Sequence, residues 1–361
     1  MKELIIGDLV AKVPIVQGGM AVGISLSGLA SAVAIAGGIG VIATAGIGHM
    51  EPDHRTNYVE VNNRVLSREI RKAREKTNGI IGINIMVALS NYSELVRVSI
   101  EEGADIIFSG AGLPLNLPGY LPEGNTRTKL VPIVSSGKAA AIIAKKWIDK
   151  FNHIPDAIVV EGPRAGGHLG FKKENIFDSN YELEKLLPDV LTQIKLLEDK
   201  YNKAIPVIPG GGIYTGADMY KFMKMGASGV QMATRFVGTY ECDASDEFKQ
   251  AYLKATKEDI VIINSPVGMP GRAIRNQYLT DVNEGQRKPF KCPFHCIITC
   301  NVKDAPYCIA EALCNAKDGK LTEGFAFAGE NVYRVNKIVH VNDLVNTLVA
   351  EYEETAKKDN A

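Results

Sequence analysis

From Val13 to about Phe236 the chain alternates short apolar, β-branched runs with longer amphipathic stretches, the pattern of repeated βα units around a parallel sheet. Val13 to Gln17, Gly40 to Thr44, Ile80 to Ile85, Ala104 to Phe108, Leu130 to Val134, Ala157 to Val160, Pro206 to Pro209 and Gly229 to Met232 read as strands. Between them Leu26 to Ala36, Arg64 to Lys76, Lys138 to Lys150, Tyr181 to Leu197 and Ala217 to Met225 read as helices, several closed by glycine. Eight strands is the number of a (β/α)8 TIM barrel. An open doubly wound sheet would alternate in the same way. The glycines separate the two: they follow strand after strand, at Gly18-Gly19, Gly110, Gly112, Gly166-Gly167 and Gly210 to Gly212. A barrel gathers all of those strand ends on one face, whereas an open sheet gathers only those at its switch point.

Beyond Phe236 the pattern changes. Glu247 to Ala255 reads as a helix and Ile260 to Asn264 as a strand, Ser265 to Arg272 reads as a loop rich in proline and glycine, and a helix is expected from Val341 to about Thr355. The expected organisation is a barrel core over residues 1–240, a cap or insertion segment over 241–335, and a C-terminal helix, 336–361, returning to the barrel. Ala305 to Ala310 and Glu323 to Gly329 are the stretches expected to cover the barrel mouth.

Composition narrows the function. Lysine plus arginine and aspartate plus glutamate each number 41, so no overall field favours nucleic acid or an anionic membrane, and neither is an expected partner. Met1 to Val10 lacks a basic, then apolar leader, and no run approaches the roughly 20 apolar residues that span a bilayer. The expected location is cytoplasmic. A small-molecule substrate is the expected ligand, and a homodimer is compatible with the sequence.

Three motifs carry candidate chemistry. Pro14-Ile15-Val16-Gln17-Gly18-Gly19-Met20 runs a strand into paired glycines, which form either a tight turn or a floor that a flat ligand can approach closely. Val207-Ile208-Pro209-Gly210-Gly211-Gly212-Ile213 and Gly229-Val230-Gln231-Met232-Ala233-Thr234-Arg235 end the seventh and eighth strands, where barrels commonly hold a phosphate on backbone N–H groups and a helix N-terminus. Neither fits Gly-x-x-x-x-Gly-Lys-Ser/Thr, which argues against a nucleotide triphosphatase. In Val160-Glu161-Gly162-Pro163-Arg164-Ala165-Gly166-Gly167-His168-Leu169-Gly170 a histidine stands in a glycine-rich loop at a strand end. A lone histidine is more often structural, but here an imidazole can exchange a proton or carry charge beside a substrate anion. His49, His54, His153, His295 and His340 lack that setting.

Taken together and in this order, the motifs resemble the nitronate monooxygenase family, formerly 2-nitropropane dioxygenases, which includes FMN-dependent enoyl-acyl-carrier-protein reductases. The resemblance runs from about Ile5 to Gly238, with a further match at Ser265 to Arg272. It implies a TIM barrel with FMN across the strand C-termini and His168 as the catalytic residue. Gln17, Gly18, Gly19, Met20 and Asn84 would meet the flavin with Glu161, Gly166 and Gly167, while Gly211, Gly212, Gln231, Met232, Ala233 and Thr234 would hold the ribityl phosphate. Glu161 stands where the family often has glutamine, so it is either protonated or unfavourable to an anionic reduced flavin. Ala233 replaces a usual glycine, which is tolerable if its φ is negative. The resemblance implies oxidation of alkyl nitronates to a carbonyl compound and nitrite, or, alternatively, enoyl-thioester reduction with NADH or NADPH. A flavin-binding sensor or electron-transfer module is a further alternative.

Of the six cysteines only Cys242 stands apart, and the others follow C-x3-C-x3-C-x7-C-x5-C from Cys292 through Cys296, Cys300 and Cys308 to Cys314. Cys292, Cys296, Cys300 and Cys308 could ligate an iron–sulfur cluster or zinc, though the spacing matches neither a ferredoxin nor a zinc finger. Equally, helical spacing would put Cys292, Cys296 and Cys300 on one face as buried free thiols.

Overall fold

The computed structural model describes every residue except Arg287, Pro293 and Ala361. A hairpin, β1 (Leu4–Ile6) and β2 (Leu9–Ala11), precedes the barrel strands β3 (Ile15–Gln17), β4 (Gly40–Ala43), β5 (Ile81–Met86), β6 (Ile106–Gly110), β7 (Lys129–Val134) and β8 (Ile158–Glu161). A short β9 (Gly167–His168) follows, then barrel strands β10 (Val207–Gly210) and β11 (Val230–Met232), and finally β12 (Ile260–Asn264) and β13 (Pro270–Ile274). The helices are α1 (Ser27–Ile35), α2 (Tyr58–Lys76), α3 (Tyr92–Glu101), α4 (Gly137–Phe151), α5 (Leu183–Tyr201), α6 (Gly216–Lys224), α7 (Thr234–Val237), α8 (Asp246–Lys254), α9 (Gln277–Asn283), α10 (Ile309–Lys317) and α11 (Val341–Asp359).

Eight parallel strands run in the order β3-β11-β10-β8-β7-β6-β5-β4. Ile39, just before β4, closes the ring on β3 by donating to the Ile15 carbonyl at 2.9 Å and accepting from Gln17 N–H at 3.0 Å. The fold is therefore the TIM barrel that the alternation predicts, with every expected strand in place.

Side-chain alternation then sets the inside and the outside of the wall. Val16, Val41, Ile106, Phe108, Val131, Val159 and Ile208 fill the barrel interior, joined by Leu4, Ile6 and Ala11 from the N-terminal hairpin. Their neighbours Ile15, Ile42, Ile107, Ile158, Val160 and Val207 face the helices. On three strands the next inward position after the last interior apolar side chain lies at the barrel mouth: Gly18 after Val16, Gly110 after Phe108 and Glu161 after Val159. The apolar period of the strands thus decides which residues face a ligand.

The last βα unit carries the insertion. The chain leaves at Gly238 and returns at Val339, where Val339 N–H donates to Gly238 O at 3.1 Å and Tyr240 N–H to Val339 O at 3.0 Å. Helix α11 then packs on α6, whose first residue, Gly216, donates its N–H to Glu351 at 2.7 Å. A Cβ on Gly216 would fall 2.1 Å from Leu348 O, so only glycine permits this docking.

Two expectations are corrected within the insertion. Ser265 to Arg272 is not wholly a loop: β13 begins at Pro270, pairs antiparallel with β12 and, on its other edge, with β9. Proline is tolerated there because it opens the strand. Cys292, Cys296 and Cys300 share no helix face, because the described residues of 290–300 form no helix.

Candidate active site

A cavity of about 720 Å³ opens at the C-terminal end of the barrel strands, roofed in part by the insertion. Gly18, Gly19, Met20, Asn84, Glu161, Gly166, Gly167, His168, Gly211, Gly212, Gln231, Met232, Ala233 and Thr234 all line it. Gln17 does not. Its side chain is fully buried beneath the floor, donating to Gly18 O at 2.6 Å and accepting from Val41 N–H at 2.9 Å, so it braces β3 against β4.

The floor is glycine because the backbone is crowded. A Cβ on Gly19 would lie 2.4 Å from Cβ of Asn84, whose strand β5 crosses directly behind. On the far wall Gly211 and Gly212 hold φ of +96° and +91°, a region that favours glycine, and a Cβ on Gly211 would fall 2.8 Å from Gly162 O. Ala233 has φ −125°, so its methyl group is unstrained. Thr234 opens α7, and its hydroxyl accepts from Gly329 N–H at 2.9 Å, tying the insertion to this corner. Gly166, expected only to pack near a flavin, has a second constraint: its Cβ would sit 2.5 Å from the Ala328–Gly329 peptide of the insertion.

His168 reaches the cavity on β9, which Arg272 and β13 hold in place. The buried Arg272 donates to Ala165 O at 3.2 Å and to Pro163 O at 2.8 Å, fixing the loop between Glu161 and His168. Nε2 of His168 lies 2.7 Å from Oγ of Ser265, and the ring meets Phe327 edge-on at 5.0 Å. Nδ1 makes no hydrogen bond among the described residues, which leaves it for a ligand. Burial pushes the His168 pKa down to about 4, so the ring is neutral at pH 7. Burial also pushes the Glu161 pKa up to about 7, and among the described residues no cation opposes the shift. A carboxyl protonated near neutrality can donate a hydrogen bond as glutamine does, which meets the objection raised by the substitution.

The sequence marked the segments that hold Ser265, Arg272 and Phe327, as a family match and as part of the cap, but gave these three side chains no role at the histidine. Ser265 and Arg272 lay in the segment read as a loop, and the pairing of β13 with β9 is what brings them to the histidine. Sequence reasoning missed the wall contributed by α2 and the insertion, where Tyr58, His54, Phe294, Cys296, Ile309, Leu313 and Cys314 line the same cavity. The ring of Phe294 stacks on His54 at 5.4 Å. Of the proposed metal ligands, Cys292, Cys296, Cys300 and Cys308 surround a separate small cavity. No three His, Cys, Asp or Glu side chains among the described residues stand in ligating geometry. No helix among the described residues is long and apolar enough to cross a membrane.

Comparison with known proteins agrees with this geometry. The family model described as nitronate monooxygenase matches residues 3–351. A Mycobacterium tuberculosis protein named (3aS,4S,5R,7aS)-5-hydroxy-7a-methyl-1-oxo-octahydro-1H-indene-4-carboxyl-CoA dehydrogenase is 28% identical over 76% of this chain, and the match spans 66% of that protein's length. A probable nitronate monooxygenase from Staphylococcus saprophyticus is 27% identical over 77% of this chain and 80% of its own. The solved structure of FabK from Thermotoga maritima superposes with a TM-score of 0.73 at 28% identity, covering 97% of this chain and 96% of that one. The family model runs through barrel, insertion and returning helix alike, and the chain belongs to the nitronate monooxygenase family of oxidoreductases.

Proposed function

We propose that the chain is an FMN-dependent oxidoreductase that oxidises alkyl nitronates to a carbonyl compound and nitrite, with His168 as the acid/base residue. The observation that carries this reading is the convergence of the glycine floor, the Gly211-Gly212 wall and a neutral, buried histidine on one cavity.

The residues fit the cofactor. A flat ring system needs a floor without side chains, which Gly18 and Gly19 provide, and a terminal phosphate needs converging N–H groups, which the Gly211-Gly212 turn and the Ala233-Thr234 step supply. FMN bound there would supply the electron acceptor for the nitronate, and molecular oxygen as co-substrate would supply the oxygen atom of the carbonyl product. The protein's own part is proton handling and positioning. Held through Nε2 by Ser265, His168 offers Nδ1 to the α-carbon proton of a nitroalkane or to the oxygens of a bound nitronate. Its depressed pKa keeps the base form populated at neutral pH. Glu161 in its protonated form donates a hydrogen bond into the cavity without placing a negative charge there.

A second reading, enoyl-thioester reduction using NADH or NADPH, is favoured by the apolar wall of Tyr58, Leu89, Phe294, Ile297, Ile309 and Leu313. That wall is longer than a small nitronate requires and suits an acyl chain, and the mycobacterial relative acts, by its name, on a CoA thioester. Anaerobic mixing of the flavin-loaded protein with a nitronate, and separately with NADH and NADPH, tests the order. Bleaching by the nitronate with no fast bleaching by either nicotinamide is expected. Rapid bleaching by a nicotinamide alone would put the reductase first.

A further inference from the structure

The cysteine segment contributes Phe294, Cys296 and Ile297 to the wall of the large cavity, but the proposed flavin chemistry uses none of its thiols. Between Asn283, the end of α9, and Ile309, the start of α10, the described residues form no helix or strand, and among them Ile297 makes a bridge to Leu89. A connection of this length without helix or strand among its described residues is uncommon inside a compact domain and, where ordered, is usually functional. Within it, Cys292, Cys296, Cys300 and Cys308 come from four separate points of the chain and surround one cavity of about 20 Å³, roughly the room of one small ion. The remaining lining is Phe290, Ile297, Val302 and Ile309, with His295 beside them.

Local backbone geometry points the same way. His295 adopts φ +44°, a left-handed conformation unusual for a histidine, and in doing so turns its N–H onto Cys292 Sγ at 3.4 Å. Cys308 occupies the N-cap of α10, a nine-residue helix, and this position sets it in the lining of the same cavity. Four sulfurs around one small space form the donor set that a soft cation takes.

We propose that Cys292, Cys296, Cys300 and Cys308 together ligate one soft metal centre, zinc or iron, that pins this segment against the cavity. Each thiol gives up its proton on ligation, and no electron moves. As the chain lies, the four sulfurs are not in ligating positions, so binding draws the segment inward. The consequence reaches the active site because Phe294, Cys296 and Ile297 belong also to the wall of the large cavity. Ser90 N–H donates to Cys296 O and Ile298 N–H to Ala88 O, which fastens the segment to the loop after β5. Cys314, on α10, faces the large cavity instead, and Cys242 is buried elsewhere; neither belongs to the centre.

Metal and sulfide analysis of protein purified anaerobically, without added metal, is the direct test. Stoichiometric zinc, or iron with or without matching inorganic sulfide, is expected, and the sulfide value separates a single ion from a cluster. A double variant, Cys296→Ser with Cys300→Ser, should lose that metal, while Cys314→Ser should keep it. Should the double variant not fold, alkylation of the wild-type protein followed by peptide mapping decides. Cys292, Cys296, Cys300 and Cys308 should be protected until a mercurial releases the metal. Substoichiometric metal, disulfides among the four, or alkylation at the same rate before and after the mercurial would overturn the proposal.

Discussion

At the scale of single residues the account turns on two titratable groups whose pKa values burial moves in opposite directions. His168 falls to about 4 and Glu161 rises to about 7. Replacing His168 with alanine should leave flavin binding intact and lower kcat by roughly 100-fold to 10,000-fold, the range of general acid–base catalysis, as read by steady-state turnover and flavin absorbance. Ser265→Ala should act indirectly, lowering kcat by about tenfold while the acid limb of the pH profile moves, because the ring loses its Nε2 anchor. A structural role alone would leave that limb unmoved. The linked stabilities have opposite signs. For His168 the folded value lies below the ordinary 6.5, so its contribution is present above that pH and is lost as pH falls toward about 4. For Glu161 the folded value lies above the ordinary 4.5, so its contribution is present below that pH and is lost as pH rises through about 7. Urea unfolding of Glu161→Gln should accordingly be flatter between these two values than that of the wild type. An unchanged slope would show that the carboxyl is not the source.

At the scale of elements, the barrel strands were legible because each carries an apolar run between turn residues, and the glycines at the strand ends marked Gly18 as a mouth residue. Strand β13 was not legible: Pro270 and Gly271 are turn residues in most settings, and only the partners on either side, β12 and β9, make them a strand. Gly271 is there because Phe327 covers it, with a Cβ position 2.7 Å from the ring, a contact between residues far apart in sequence. The pairing of His168 with Ser265 has the same origin, since no local pattern ties a loop after β8 to a loop after β12. The brace by Arg272 was hidden likewise, because a buried arginine that satisfies two carbonyls looks in sequence like any surface charge. Arg272→Met should strand the Pro163 and Ala165 carbonyls and cost on the order of 2 kcal/mol in urea unfolding. It should also raise KM, because the loop bearing His168 loses its anchor. Stability equal to the wild type would contradict that role.

At the scale of the whole molecule, the barrel supplies a rigid ring of strand ends and the insertion supplies the roof, entering and leaving beside β11 so that α11 can still complete the outer layer. The cavity lies between these two contributions, which is why glycines such as Gly166 answer to both a ligand and the crossing Ala328–Gly329 peptide. Gly166→Val should displace that peptide and open the roof, seen as faster proteolysis within 320–335 and weaker substrate binding. The central claim is that this cavity holds one FMN on the glycine floor and the Gly211-Gly212 wall. Titration of the flavin-stripped protein with FMN, followed by flavin fluorescence, tests it most directly. The account predicts saturation at one FMN per chain, with binding weakened at least tenfold in Gly211→Val. A wild-type protein that leaves FMN fluorescence unchanged, or a variant that binds as tightly as the wild type, would contradict it.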